Sequence, residues 1–449
     1  MEKKTDQRDG RTSRRDFIKT GSSLLVAGGV VASTLPVARA AHAFGSDTIK
    51  IGLVGCGGRG TGAAVQAMNT EGSVKLVAMG DVFPDRLQTA YRSAKSRHGD
   101  SVDVPRERQF VGFDAYKRVL ETDIDLVILA TPPGFRPLHF EAAVKAGKHV
   151  FAEKPVATDA PGVRRFLAAN ELAKKQNLAV AVGLQRHHER AYMATIQQLQ
   201  DGIIGDITSA RAYWNGGGVW VRPRQSGQTE LDYQMRNWYY FNWLCGDHIV
   251  EQHIHNLDVI NWLMGGYPVS AQGMGGREVR DGEEYGQIFD HHFVEYTYAN
   301  GAKMYSQCRH IKGCWGSVSE HCQGTKGRAD ISGAKIYDAA DKTVFQYKSE
   351  KKDDNGRDGH QQEHHDLFAL LRKGERPNEG DYGAYSTMTS IFGRMATYSG
   401  QMLKWEDALN SQIALADFDA LSSFEDPAPV QPLDDGSYPV PVPGVTKTV

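Results

Sequence analysis

From residue 49 the chain alternates short, continuously apolar runs with amphipathic stretches. "IKIGLVG" has the length and composition of a buried strand, and "TGAAVQAM" opens a helix. "VKLVAMGD" is a second strand and "DIDLVILATPP" a strand that runs into a loop. Then come "HFEAAVKAG" as helix, "KHVFAEKP" as strand and loop, "GVRRFLAANELAKKQ" as amphipathic helix and "LAVAVGLQ" as strand. Strands and helices in turn predict a parallel sheet covered on both faces. The ligand site of such a sheet lies beyond the carboxyl ends of its strands. Farther on, "DHIVEQHIHNLDVINWL" predicts one helix from Asp247 to Leu263. Steps of three and four place His248, Glu251, His255, Asp258 and Trp262 on a single face of it.

The first residues follow a different pattern. Arg14 and Arg15 precede an apolar run from Leu24 to Ala38 that contains Gly28, Gly29 and Pro36. The run is short for a membrane span and ends in small-residue cleavage sites around Ala40 and Ala43. Residues 1–45 therefore read as a signal of the twin-arginine type, which exports proteins already folded, here to the periplasm. No stable membrane span is expected after cleavage. At the other end "FEDPAPVQPLDDGSYPVPVPG" is proline-rich, and residues 426–449 are expected to run extended along the protein or a neighbouring subunit.

The chain has 449 residues, enough for two sizeable domains after the signal. A formal charge of −2, with no long basic run after the leader, excludes an electrostatic footprint for nucleic acid. The five cysteines show no C-x-x-C pair and are expected to be free, since the core would form before export.

Chemistry enters with "GCGGRG" after the first strand. Gly55, Gly57 and Gly60 have the G-x-G-x-x-G spacing: a tight turn, close approach of backbone to a pyrophosphate, and close packing of helix on strand. Arg59 lies within this loop. Asp81 ends the second strand about 20 residues later, where a carboxylate accepts hydrogen bonds from ribose hydroxyls and disfavours a 2′-phosphate. The cofactor expected is NAD rather than NADP, with Arg86 the one nearby residue that argues the other way. Thr131, Pro133, Glu153, Lys154 and Gln185 fall just past strand ends and ring the same crevice, and His139 follows in "ATPP…H".

The fingerprint, "ATPP…H", "GKHVFAEKP", "DHIVEQHIHNLDVINWL", "EHHDLFALLRKGERP" and "YSTMTSIFGRMATYSG", in that order, resemble the glucose–fructose oxidoreductase / inositol dehydrogenase / rhizopine-catabolism (Gfo/Idh/MocA) family. The resemblance implies an α/β protein: an N-terminal Rossmann dinucleotide-binding domain (46–180) and a C-terminal α/β domain with a large, mostly antiparallel open sheet (181–425). It implies a homo-oligomer, dimer or tetramer, joined through that sheet's back. It also implies that Lys154 lies beside the nicotinamide and the substrate hydroxyl. Where the family has an aspartate four residues before its catalytic histidine, this chain has Glu251 before His255.

The expected catalytic residues are Lys154, His255 and Glu251. His255 is the acid/base candidate, with Glu251 orienting it or carrying the proton onward; Lys154 positions and stabilises, and the exchange of those roles stays open. Arg186, His187, Trp238, Tyr239, His248 and His255 are candidates for binding substrate, with Trp220, Arg222 and Arg309 as further donors or stacking surfaces. His248, His253, His255 and Glu251 are of metal-ligand type, but they lack the H-E-x-x-H spacing, and no metal is expected. The function expected is a periplasmic oxidoreductase moving hydride between tightly bound NAD, recycled in place, and a hydroxyl of a sugar, glycoside or polyol. Its alternatives are an NAD-dependent glycosidase working by oxidation, elimination, hydration and reduction, and a non-catalytic binding protein on the same fold.

Overall fold

The computed structural model describes residues 48–349 and 356–449, so the twin-arginine segment lies outside the described residues. Six parallel strands form the first sheet: β1 (Ile49–Val54), β2 (Val74–Asp81), β3 (Gln109–Val111), β4 (Leu126–Leu129), β5 (His149–Ala152) and β6 (Val180–Val182). They are ordered β3-β2-β1-β4-β5-β6. The switch point between β1 and β4 stands over the carboxyl end of β1, where such a sheet takes its ligand. β1, β4 and β5 are buried almost throughout, which is why they appear in sequence as unbroken apolar runs.

The second sheet has nine strands: β7 (Ile207–Gly216), β8 (Ser270–Gly276), β9 (His291–Thr297), β10 (Lys303–His310), β11 (Ser317–Gly324), β12 (Gly327–Asp330), β13 (Lys335–Asp338), β14 (Thr343–Gln346) and β15 (Leu403–Lys404). Their order is β14-β13-β12-β11-β7-β10-β9-β8-β15, and only β7 and β10 pair in parallel. This is the α/β class and the mostly antiparallel second sheet expected from the sequence. β9 and β10 alternate buried and half-exposed positions, so one face packs on helices and the other stays open.

Two features depart from the reading of the sequence. The helix expected from Asp247 to Leu263 is broken: a turn spans His248–Glu251, and a separate helix spans Ile254–Met264. The chain also returns to the first domain. The Gly359–Arg372 helix sets Leu367, Phe368 and Leu371 into the core beneath β1 and β2. After the short Trp405–Leu409 helix, residues 411–449 run without regular structure along the protein's own surface. Tyr438 anchors that run, its ring edge-on to Phe241 at 4.9 Å and its hydroxyl donating to Glu230 Oε1 at 2.6 Å. All five cysteines are free. Among the described residues no helix is long and apolar enough to cross a membrane.

Candidate active site

The crevice opens where β1 meets the Gly58–Met68 helix. Gly55 has φ +93°, and a Cβ there would lie 2.5 Å from the Ala130 and Thr131 backbone. A Cβ on Gly60 would stand 2.0 Å from the Gly55 carbonyl oxygen, so that helix–strand approach admits only hydrogen. A Cβ on Gly57 would meet nothing within 4 Å; it would project into open space beside the free N–H groups of the helix start. The loop thus keeps clear the volume that a pyrophosphate requires, and the residues present fit a dinucleotide.

Asp81 holds this loop from β2, accepting from Cys56 N at 2.6 Å and Phe83 N at 2.8 Å. Burial raises its carboxyl above the ordinary value, against the pull of those two donors. Arg59, in the first turn of the Gly58–Met68 helix, reaches Glu153 Oε1 at 2.5 Å, Gln66 Oε1 at 2.7 Å and Glu363 Oε1 at 3.2 Å. Burial first, and the Glu153 charge second, push the Glu363 carboxyl well up. Thr131 Oγ1 bonds His139 Nδ1 at 3.1 Å, and the buried His139 ring, stacked on Tyr116, is pushed down to about 3. The crevice, about 730 Å³, is lined by Gly55, Gly57, Arg59, Asp81, Arg86, Thr131, Pro133, His139, Glu153, Lys154 and Gln185. Gly60 supports it from within the helix packing.

The second wall brings Glu251, His255, Arg186 and Trp238 to the same crevice, joined by Trp220 and Arg222. Lys154 Nζ donates to the Glu251 carbonyl at 2.7 Å and to its Oε1 at 3.0 Å, with both side chains about nine-tenths buried. Only Oε1 of Glu251 is engaged by Lys154; its Oε2 is buried without a partner and makes no hydrogen bond to His255. Burial raises the Glu251 carboxyl and the Lys154 charge partly offsets that. His255 is held well below the usual imidazole range, first by burial and then by the Lys154 cation. Its Nδ1 is buried without a partner. Arg186 is fixed by an ion pair to Glu320, which also accepts from Tyr192 and Asn256.

Three expected substrate residues stand elsewhere. His187 bonds Asp258 Oδ2 at 2.8 Å and is sandwiched between Trp262 and Tyr382, because the tight Gln185–His188 turn sends successive side chains in different directions. His248 is fully buried, its Nδ1 bonded to Asp247 Oδ1 at 2.7 Å and its ring against His292 and His310. The helix break at Gln252 and His253 separates the His248–Glu251 turn from the helix that carries His255. Tyr239 is buried between Trp220, Trp238 and His310 and does not line the crevice. Arg309 donates instead to the Trp315 carbonyl at 2.6 Å. Asp247, His248 and His292 lie close enough to hold an ion, but the Asp247 oxygens already accept from His248, Phe289 N and Tyr398.

Sequence reasoning missed Trp214, Gln252, His360 and the rings of Phe83, Phe113 and Phe135, all of which line the crevice. Phe83, two residues past Asp81, was the one with a local signal. Trp214 arrives through the strand order of the second sheet and His360 through the returning helix.

Residues 49–184 match the description "Oxidoreductase family, NAD-binding Rossmann fold", and residues 192–330 match "GFO/IDH/MocA C-terminal domain". An inositol 2-dehydrogenase of Gluconacetobacter diazotrophicus is 28% identical over 225 residues, covering 50% of this chain and 57% of that protein. A glycosyl hydrolase family 109 protein of Streptomyces coelicolor is 30% identical over 179 residues, 39% of this chain and 35% of that one. The chain thus spans little more than half the length of the first of these relatives. In structure it is similar to the scyllo-inositol dehydrogenase of Lactobacillus casei with bound NAD(H) and scyllo-inositol, at a TM-score of 0.60 and 21% identity. That likeness covers 80% of this chain and 99% of that one, and it shows a shared fold.

Proposed function

The chain belongs to the Gfo/Idh/MocA oxidoreductase family, and on that premise we propose that it is an NAD-dependent oxidoreductase acting on a secondary hydroxyl of a sugar, glycoside or polyol. The observation that carries this reading is the buried Lys154–Glu251 pair, set in one crevice with the glycine loop and His255. Gly55, Gly57 and Asp81 would hold the dinucleotide, and bound NAD supplies the hydride acceptor. Lys154 places a cation where the alkoxide develops, which stabilises charge that is absent from the resting alcohol.

The proton has a defined way out. Lys154 Nζ passes a proton to Glu251 Oε1 as it takes one from the substrate hydroxyl. The raised Glu251 carboxyl makes that acceptor more basic than an ordinary glutamate. His255, depressed first by burial and then by the neighbouring cation, stays a neutral imidazole that orients the hydroxyl. On this reading the Lys154–Glu251 pair takes the acid/base role, which is the exchange of roles left open in the sequence. Arg186, fixed by Glu320, and the rings of Trp214, Trp220 and Trp238 supply hydrogen bonds and apolar faces for a sugar ring.

A glycosidase that oxidises a hydroxyl, eliminates the glycosidic substituent, adds water and reduces again is the second reading. It is favoured by the 30% identity to the glycosyl hydrolase family 109 protein. The test is product analysis by mass, with the NAD-loaded full chain and a panel of polyols, aldoses and glycosides. A ketone with stoichiometric NADH supports the dehydrogenase, a free sugar with no net NADH supports the glycosidase, and no product from any substrate contradicts both.

The proposal extends to export and assembly. Twin-arginine export to the periplasm follows from Arg14 and Arg15, and the mature amino terminus of the exported protein would report it. Self-association through the open face of the nine-stranded sheet is supported by Met274 and Tyr305, both exposed there. Sedimentation of Met274→Glu against the parent would test that.

A further inference from the structure

The adenosine end of the crevice begins at Asp81, and its wall there is made of phenylalanines. Phe83 carries the Arg236 guanidinium 4.0 Å from its ring centre, while Phe424 stacks on it at 5.2 Å and 20°. Phe424 also stands edge-on to Phe113, another lining ring, at 5.2 Å. Six residues earlier, Phe418 meets Phe135 edge-on at 5.0 Å, and its ring would stand 2.4 Å from a Cβ on Gly134. Both phenylalanines of the carboxyl-terminal run thus press on rings that face the crevice. This run lies beyond residue 330, where the match to the family's second domain ends.

The run is fastened to both domains. On the first, Arg165 bonds both Asp419 oxygens at 2.6 and 3.1 Å, and Leu415 N donates to Asp159 Oδ2 at 2.8 Å. On the second, Thr229 Oγ1 donates to the Phe424 carbonyl at 2.7 Å and Gln234 Nε2 to the Val430 carbonyl at 2.6 Å. Beneath it Arg236 reaches across to Asp85. Phe424 and Phe418 stand behind the lining rings, and these contacts together fix the run that holds Phe83, Phe113 and Phe135 against the crevice.

We infer that residues 411–449 form a fixed clasp over the adenosine end, in which Phe424 and Phe418 position Phe83, Phe113 and Phe135 and keep the dinucleotide resident through successive turnovers. The inference rests on the NAD reading above and adds where the retention comes from. Phe424 and Phe418 are positioning residues, since they act through other rings.

The test is exchange of bound nucleotide for isotopically labelled NAD in the purified full chain, followed by mass after denaturation. The parent should carry stoichiometric nucleotide through desalting and exchange slowly, and Phe424→Ala should exchange about tenfold faster or more. If Phe424→Ala does not fold, Phe424→Leu and Asp419→Asn carry the same expectation, with their melts as the check on folding. A parent that exchanges as fast as a folded variant overturns the clasp and leaves the NAD reading standing. A parent that neither holds nor takes up NAD overturns both.

Discussion

The two walls of the crevice are built in opposite ways. The first wall is made of strand ends: Asp81 closes β2, and Gly55, Thr131, Glu153 and Gln185 each follow a strand of the same parallel sheet, so their place follows from the order of motifs. The second wall gathers Arg186, Trp214, Glu251, His255 and His360 from five separate elements, while the clasp from the carboxyl terminus packs on Phe83, Phe113 and Phe135 beside the first wall. The first wall tolerates little change because its backbone geometry is the function. The second is held by side-chain pairs, so its losses should be graded and separable.

The largest effect should come from the first wall. Gly60→Ala puts a methyl 2.0 Å from the Gly55 carbonyl, an atom that cannot move without the loop. We expect NAD affinity to fall by ~100-fold or more in equilibrium titration, with a lower melting temperature. In the second wall Glu251→Gln should lower kcat by roughly 10–100-fold. It should also remove the rise of kcat with pH that the Glu251 carboxyl gives in the oxidation direction. A parent-like profile in Glu251→Gln would return the acid/base role to His255. Smaller still, Arg186→Ala should raise KM by about tenfold, as expected for the loss of one charged hydrogen bond. His187→Ala should leave KM unchanged and lower only the melting temperature, because His187 stacks between Trp262 and Tyr382.

The mildest prediction concerns acid. Burial holds His139, His149, His248, His253 and His310 down to about 3, 4, 4, 3 and 2 against an ordinary 6.5. Between those values and 6.5 the unfolded chain binds more protons, so stability rises with pH there and is lost on acidification below 6.5. Each such group contributes at most about 1.4 kcal/mol per pH unit. Glu189, raised to about 7 by burial, works the other way above 4.5, as do the Glu251 and Glu363 carboxyls that burial also raises, while His255 and His364, lowered by burial, add to the five. Melting temperature should therefore fall from pH 6.5 to pH 5, and a flat profile would contradict the burial of these rings.

This asymmetry also explains what the sequence disclosed. The parallel sheet, its glycine loop and its carboxylate were legible because apolar runs and strand-end motifs are local. Lys154 and Glu251 were legible as residues, but their bond to each other was not, since 97 positions separate them. The helical face that seemed to unite His248 with His255 failed at the break between Glu251 and Ile254. Buried histidines packed around Asp247 have the same letters as a site, and only their hydrogen bonds tell them apart. The proline-rich run was visible as extended chain, while its target depended on rings contributed by four distant loops.

The central claim is that Lys154, held by Glu251, stands at the reacting centre. The most direct measurement is single-turnover hydride transfer to bound NAD, followed by the near-ultraviolet absorbance of NADH, in the parent and in Lys154→Met. The account predicts that Lys154→Met binds NAD as the parent does and transfers hydride about a thousandfold more slowly. Equal transfer rates in the two proteins would contradict it.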